Sequence, residues 1–187
     1  MITSGSFLAP NSFSKNLVSD QTWYNIHSVD SGQDFDAAKG LGIGTNSTSI
    51  VVFGIGNRNN VRVTAVVRYD STTSQAALDM GLLIRCLTTT GTDDTYYYVR
   101  LDGSFCKITR VVDNAFVTIA SAAFELAHST DCTITVECVD NQLTVNFDDG
   151  STPADLSVSD NNITGGCFGF RTLSSTGWLK SILYEEL

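Results

Sequence analysis

The stretch Asp131–Asp149, DCTITVECVDNQLTVNFDD, decides the fold. Ile134, Val136 and Cys138 alternate with Thr133, Thr135 and Glu137; Leu143, Val145 and Phe147 alternate with Gln142, Thr144 and Asn146. Strict period two is the pattern of strands half buried against a core. Asp140-Asn141 between the runs suits a tight two-residue turn, because Asp and Asn tolerate the positive φ such turns need. That turn sets Cys138 opposite Leu143, Val136 opposite Val145 and Ile134 opposite Phe147, so every apolar side chain falls on one face.

Outward from this hairpin, strand-like runs recur at Thr22–His27, Ser49–Gly54, Val61–Tyr69, Met80–Thr88, Thr95–Leu101, Ser104–Val112, Phe116–Ser121, Gly166–Thr172 and Trp178–Tyr184. Clusters of Gly, Asn, Asp, Ser and Thr separate them. The helical candidates, Gln75–Leu78 and Phe124–His128, are too short to bury much. The pattern predicts an all-β, two-sheet antiparallel sandwich or barrel. Asp102-Gly103 reads as a hairpin turn that sets Val99 opposite Cys106 and Tyr97 opposite Ile108 inside, with Tyr98 opposite Lys107 and Arg100 opposite Phe105 outside. Asp113-Asn114 reads as a further tight turn. The Ser- and Asn-rich residues 1–20 predict an arm ahead of a sandwich domain over residues 21–187.

The 187 residues, 42% of them hydrophobic, suffice for one sizeable core. A formal net charge of −9 argues against a phosphate-neutralising groove, so nucleic acid is not an expected partner. No apolar run is long enough for membrane insertion, and Met1–Ser6 carries no basic segment or apolar core of a signal peptide. Five cysteines lie singly, with Cys86, Cys106 and Cys138 at inward positions, which predicts buried reduced thiols and leaves one disulfide open. His27 and His128 are too far apart in sequence to suggest zinc spacing.

Three segments carry a family likeness: Tyr96–Gly103, then Thr133–Val136 with Gln142–Gly150, then Gly166–Thr172 ahead of Trp178–Tyr184. Together they resemble the concanavalin A-like lectin/glucanase jelly roll, which includes laminin G-like domains, over the chain from Trp23 to the C-terminus. The resemblance implies two antiparallel sheets, one convex and one concave, with adjacent terminal strands. It does not decide function, since hydrolases, lyases, lectins and structural modules share the fold.

Glycosidases of that family carry an E-x-D-x-E strand, whose period two aims carboxylates at one glycosidic bond. None of the four glutamates here, Glu125, Glu137, Glu185 and Glu186, sits in that pattern. No G-x-S-x-G elbow is present. Gly40–Gly44 is not followed by a helix signal and predicts a flexible loop rather than a phosphate cradle. The chain is therefore expected not to be an enzyme; a glycoside hydrolase or lyase is the alternative.

Strand parity also predicts a contact surface. If Val61, Val63, Ala65 and Val67 point inward, Arg62, Val66 and Arg68 point out; if Leu82, Ile84 and Cys86 point inward, Leu83, Arg85 and Leu87 point out. With Tyr96, Tyr98, Arg100 and Lys107 they would form one Arg- and Tyr-rich face, in which Arg62 lies near Arg85 and an acidic partner or a local carboxylate compensates the like charges. Such a face stacks on sugar rings, or with Leu83, Leu87, Val66 and Phe105 makes a subunit contact, or is an ordinary solvated sheet. Arg171 and Trp178 are second-choice contacts. No cofactor is expected, although the acidic loops Asp30–Asp36, Asp148-Asp149 and Asp155–Asn162 could offer oxygens to calcium. The resulting expectation is a non-catalytic, homo-oligomeric attachment or assembly protein of a virion, such as a phage tail, fibre or decoration component, that binds other subunits and cell-surface glycan; a free-standing lectin is the remaining alternative.

Overall fold

The computed structural model describes residues 4–8, 22–28, 33–36, 40–43, 48–69, 78–87, 94–173 and 177–187, with side chains from residue 59 onward apart from residue 173. Among these residues every regular element is a strand. The first seven are β1 (Ser4–Leu8), β2 (Thr22–Ser28), β3 (Gln33–Asp36), β4 (Gly40–Ile43), β5 (Thr48–Arg58), β6 (Val61–Tyr69) and β7 (Asp79–Cys86). There follow β8 (Tyr96–Asp102), β9 (Phe105–Val112), β10 (Ala115–Ala123), β11 (Asp131–Val139) and β12 (Gln142–Asp148). β13 (Ala154–Ser159), β14 (Gly166–Leu173) and β15 (Gly177–Glu186) complete the chain.

They form two antiparallel sheets. Sheet A runs β13-β12-β11-β6-β15-β4-β3, with β1 also paired to β15; sheet B runs β10-β9-β8-β7-β14-β5-β2. β4 pairs with Gly177–Leu179 of β15 and β1 with Ser181–Glu185, so the two share one edge of that strand. No described helix is long and apolar enough to cross a membrane.

The β11–β12 hairpin has the expected register, with Asp140 at φ 51 in its turn. Ile134, Val136, Cys138, Leu143, Val145 and Phe147 are fully buried. Burial of an apolar side chain of this size contributes roughly 2 kcal/mol, an upper figure because unfolded chains already bury some surface. The Asp113-Asn114 turn is also present, with φ of 50° and 62°. Across the core, Phe168 of sheet B stacks on Tyr184 of sheet A at 5.3 Å.

Several expectations are corrected. The β8–β9 turn is Gly103-Ser104, so Val99 faces Ile108 and Arg100 faces Lys107, two residues from the expected register. Asp102 stays in its strand, where its carboxylate holds Lys107 at 2.8 Å and Arg100 at 2.9 Å. A shift of two preserves parity, so the inner and outer sets survive. Gly40–Ile43 is a strand, because β15 and β3 supply backbone partners that a local reading cannot see. Within the supposed acidic loops, Gln33–Asp36 and Ala154–Ser159 are strands as well. Residues 124–128 form no helix; Phe124 and Leu126 plug the core instead. Residues 75–77 and the loop residues 30–32 lie outside the described residues.

The largest correction is at β7. Leu83 pairs with Gly169 but Cys86 pairs with Cys167, so β7 spends one more residue than β14 over the same span. This is a β-bulge, with Arg85 at φ 53. One inserted residue inverts parity: Arg85, expected outside, is 1% exposed, and Cys86 leaves the inter-sheet core for the outward apolar cluster of sheet B.

Candidate binding face

The seven site residues inferred from parity occupy three places, not one surface. Arg62 and Arg68 lie on the outward face of sheet A, because β6 joins that sheet between β11 and β15. Arg62 Nε donates to Glu137 Oε1 at 2.6 Å and Nη1 donates to Glu185 Oε2 at 3.2 Å. Arg68 reaches Asp131 at 3.3 Å, and Lys180 holds the same carboxylate at 2.5 Å. The carboxylates that pair with these two arginines come from β11 and β15. The result is a cross-strand charge ladder with Thr64 and Thr135 at its middle.

Arg85 lies inside one end of the sandwich. Nη1 donates to Ile163 O at 3.0 Å, and Nη2 donates to Asn59 O at 2.7 Å and Asp140 O at 2.6 Å. Its guanidinium ties three connections together through backbone carbonyls, whereas Arg62 pairs with carboxylates on the outward face of sheet A.

Tyr96, Tyr98, Arg100 and Lys107 do come together on the outward face of sheet B, and Arg171, Asp79, Thr109 and Phe116 join them. Arg171 extends from β14 across Gly81, where no side chain stands in its way. Its guanidinium lies 5.0 Å from the Tyr98 ring centroid, 5.9 Å from Tyr96 and 5.1 Å from Phe116. Arg171 Nη1 also donates to the Tyr96 hydroxyl at 2.6 Å.

β10 and β14 are separated by three strands, and a flat sheet would hold them roughly 19 Å apart with side chains standing off the surface. Contact between Phe116 and Arg171 therefore requires sheet B to curl toward this face. The hollow so formed explains why Leu83 and Tyr98, although outward from the core, are completely buried. Sequence parity located their side correctly but not their burial.

Charge in the hollow is nearly balanced. The Tyr98 hydroxyl donates to Asp79 Oδ1 at 2.7 Å, and Arg100 Nη1 donates to Asp79 Oδ2 at 2.7 Å. Burial raises the Asp79 pKa above its ordinary value, although Arg100 and Tyr98 pull against it. Burial likewise pushes Tyr96 up to about 12 and Tyr98 well above the phenol range, so both stay protonated. Thr109 Oγ1 and Arg171 Nε are buried without a hydrogen-bond partner among the described residues. The face is open at both ends of β9: Phe116, opposite Val111, is 50% exposed, and Phe105, six residues away at the other end, is 47% exposed with Lys107 over its ring at 5.4 Å. Of the surface apolar residues expected from parity, Leu87 and Phe105 are exposed and Leu83 is not.

Asp79, Thr109 and Phe116 had not been singled out from the sequence. Asp79 had a readable signal, since it precedes the inward Met80 and so shares the outward parity of Leu83. Phe116 had none, because only the curl brings β10 to β14.

Outside the hollow, an open pocket of about 370 Å³ is lined by Phe124, Glu125, Asp149 and Ser151, among others. Ser151 donates to Asp149 Oδ1 through its hydroxyl at 2.6 Å and its N–H at 3.0 Å. These bonds hold the Asp149 pKa below the ordinary carboxylate value, which suits it poorly to donate a proton near neutral pH. Among the described residues no group of three or more His, Cys, Asp or Glu side chains is arranged to hold a metal ion.

No family model matches the chain, and no curated protein matches it by sequence. Its fold is similar to that of the carbohydrate-binding module CBM66 from Bacillus subtilis, with a TM-score of 0.71 and 12% identity over 88% of this chain and 95% of that one. Lectin II from Ulex europaeus aligns over 98% of both chains at 12% identity, with a TM-score of 0.68. The exoplasmic/lumenal domain of VIP36 in its Ca2+/Man2-bound form aligns over 97% of this chain and 87% of its own at 9% identity, with a TM-score of 0.64. At such identities the likeness speaks for architecture, and the architecture is a concanavalin A-like, lectin-type jelly-roll sandwich.

Proposed function

We propose that this protein is a non-catalytic carbohydrate-binding module whose ligand sits at the open side of the sheet B hollow. The observation that carries this reading is the Phe116 ring, half exposed and braced from within by Arg171. An aromatic face held in place by a cation offers a stacking platform for the apolar face of a sugar ring. The Tyr96 hydroxyl, in the same cross-strand row as Phe116, and the Arg171 guanidinium bonded to it supply polar groups for hydroxyls beside that ring. The likeness to a carbohydrate-binding module and to lectins agrees with this assignment. Arg62, Arg68 and Arg85 are not part of this site.

A glycan array probed with the full chain, followed by titration of any hit against Phe116→Ala and Arg62→Ala, tests the proposal. Phe116→Ala should weaken binding about tenfold or more, equivalent to about 1.4 kcal/mol, while Arg62→Ala should leave it unchanged. Equal loss in both, or no loss in Phe116→Ala, would remove the site; turnover of a polysaccharide would replace the module with an enzyme.

The finer part of the proposal is that the module serves as an attachment and assembly subunit of a virion. β10 favours self-association: it is the edge of sheet B, contains no charged residue, and exposes Phe116 and Val117. All five cysteines are thiols, and Cys106, Cys132 and Cys138 are wholly buried, which suits assembly in a reducing cytoplasm. Light scattering on the purified chain tests the oligomer, and flanking tail or capsid genes test the particle. A monomer at every concentration would leave only the binding module.

A further inference from the structure

The bulge that turns Arg85 inward has a second effect, on Cys86. Regular alternation would bury this thiol between the sheets beside Ile84. The extra residue instead returns Cys86 to the outward side of sheet B, directly opposite Cys167 on the neighbouring antiparallel strand. Both sulfurs belong to one small apolar cluster, with Leu83, Tyr96, Tyr98 and Val111.

Directly opposed residues of an antiparallel pair have Cα atoms about 4.5–5.5 Å apart, inside the range of about 4.4–6.8 Å that disulfides span. The strands are close on this structure's own measure too. Gly166 has a φ of 150°, and a Cβ there would stand 2.6 Å from the carbonyl carbon of Arg85 and from the carbonyl oxygen of Cys86. Only a residue without a side chain lets β14 approach the bulge this closely.

The other three thiols are placed differently. Cys106, Cys132 and Cys138 are completely buried in the main core, whereas Cys167 is partly exposed. A reagent from solvent therefore meets Cys167 first, with Cys86 adjacent to it.

We infer that Cys86 and Cys167 form a thiol–disulfide site that reacts with small soluble disulfides of the glutathione class. The Cys167 thiolate attacks one sulfur of the oxidised reagent, forming a mixed disulfide and releasing one reagent thiolate. The Cys86 thiolate then attacks the Cys167 sulfur and expels the second. The protein gives up two electrons and two thiol protons; the reagent is reduced to two thiols. The new bond clips β7 to β14 across the bulge, beside Tyr96 at one end of the hollow. It stands independently of whether that hollow takes a sugar.

The experiment uses the folded full chain incubated with oxidised glutathione, acid-quenched, alkylated under denaturing conditions and mapped by peptide mass. The expected product is an intrachain Cys86–Cys167 cross-link, a mass lower by two hydrogens, and alkylated Cys106, Cys132 and Cys138. Unfolding in urea should shift to higher denaturant on oxidation and return on reduction. Cys167→Ala should abolish both the cross-link and the shift. Five alkylated thiols, a glutathione adduct left on Cys167 beside an alkylated Cys86, or a bond between any other pair would each overturn the inference.

Discussion

Arg85 Nη2 donates to Asp140 O at 2.6 Å, joining the bulge of β7 to the turn of the β11–β12 hairpin across the end of the sandwich. The same guanidinium satisfies Asn59 O and Ile163 O. A buried cation is costly to hold, and removing it strands three carbonyls. Arg85→Leu should therefore lower stability by on the order of 3 kcal/mol, read as a urea midpoint. Arg62→Ala, on an exposed ladder, should move the midpoint little and only at low salt. Equal effects in the two variants would show that Arg85 is not the tie described.

Gly81 lies beneath the Arg171 side chain, and a Cβ added there would fall 2.0 Å from Val99 O and 2.6 Å from Arg100 Cα. Both atoms are backbone, so β8 itself would have to move. Gly81→Ala should cost about 2–3 kcal/mol and disturb Arg171 with it. A variant that unfolds with the parent, by urea or heat, would refute the packing.

Tyr98 and Asp79 predict a titration. Burial lifts the Asp79 pKa, and the Tyr98 hydroxyl is one of the groups that restrain it. Tyr98→Phe removes that donor, so Asp79 should titrate at a higher pH still, followed by carboxyl carbon NMR. The loss of a buried hydrogen bond should also cost about 2 kcal/mol. An Asp79 titration that stays put or moves down would exclude the assigned bond.

Asp160 predicts the opposite trend. Burial alone would raise its pKa, but the Tyr97 hydroxyl at 2.6 Å, the Asn162 amides at 2.9 Å and Arg110 at 2.5 Å outweigh it, and the net shift is downward. The unfolded chain takes up this proton near the ordinary carboxylate pKa of about 3.9, the folded chain only at lower pH. Between those values the unfolded state binds more protons, so stability present above them is lost as pH falls. Asp160→Asn should flatten that part of the acid limb in a stability–pH profile; an unchanged slope there would count against the network.

What was legible in the sequence was local. The alternation from Thr133 to Phe147 needs no knowledge of the rest of the chain, since every second side chain faces one way and Asp140-Asn141 closes the pair. The Asp113-Asn114 turn was legible for the same reason. The Arg- and Tyr-rich surface was legible only in part. Tyr96, Tyr98, Arg100 and Lys107 do share a face, but parity cannot say that β6 belongs to the other sheet, which takes Arg62 and Arg68 away.

By itself, the order of residues determined the class of structure, the buried side of the main hairpin and the inward set of β6 and β8, because pleat and turn chemistry act over a few residues. Tertiary structure alone decided the rest. Pairing of Cys86 with Cys167 while Leu83 pairs with Gly169 inserts the residue that sends Arg85 inside. Curling of sheet B brings Phe116 of β10 to Arg171 of β14. Both depend on hydrogen-bonded partners distant in the chain, and a strand's own sequence does not encode which neighbour it meets or where its ladder slips by one.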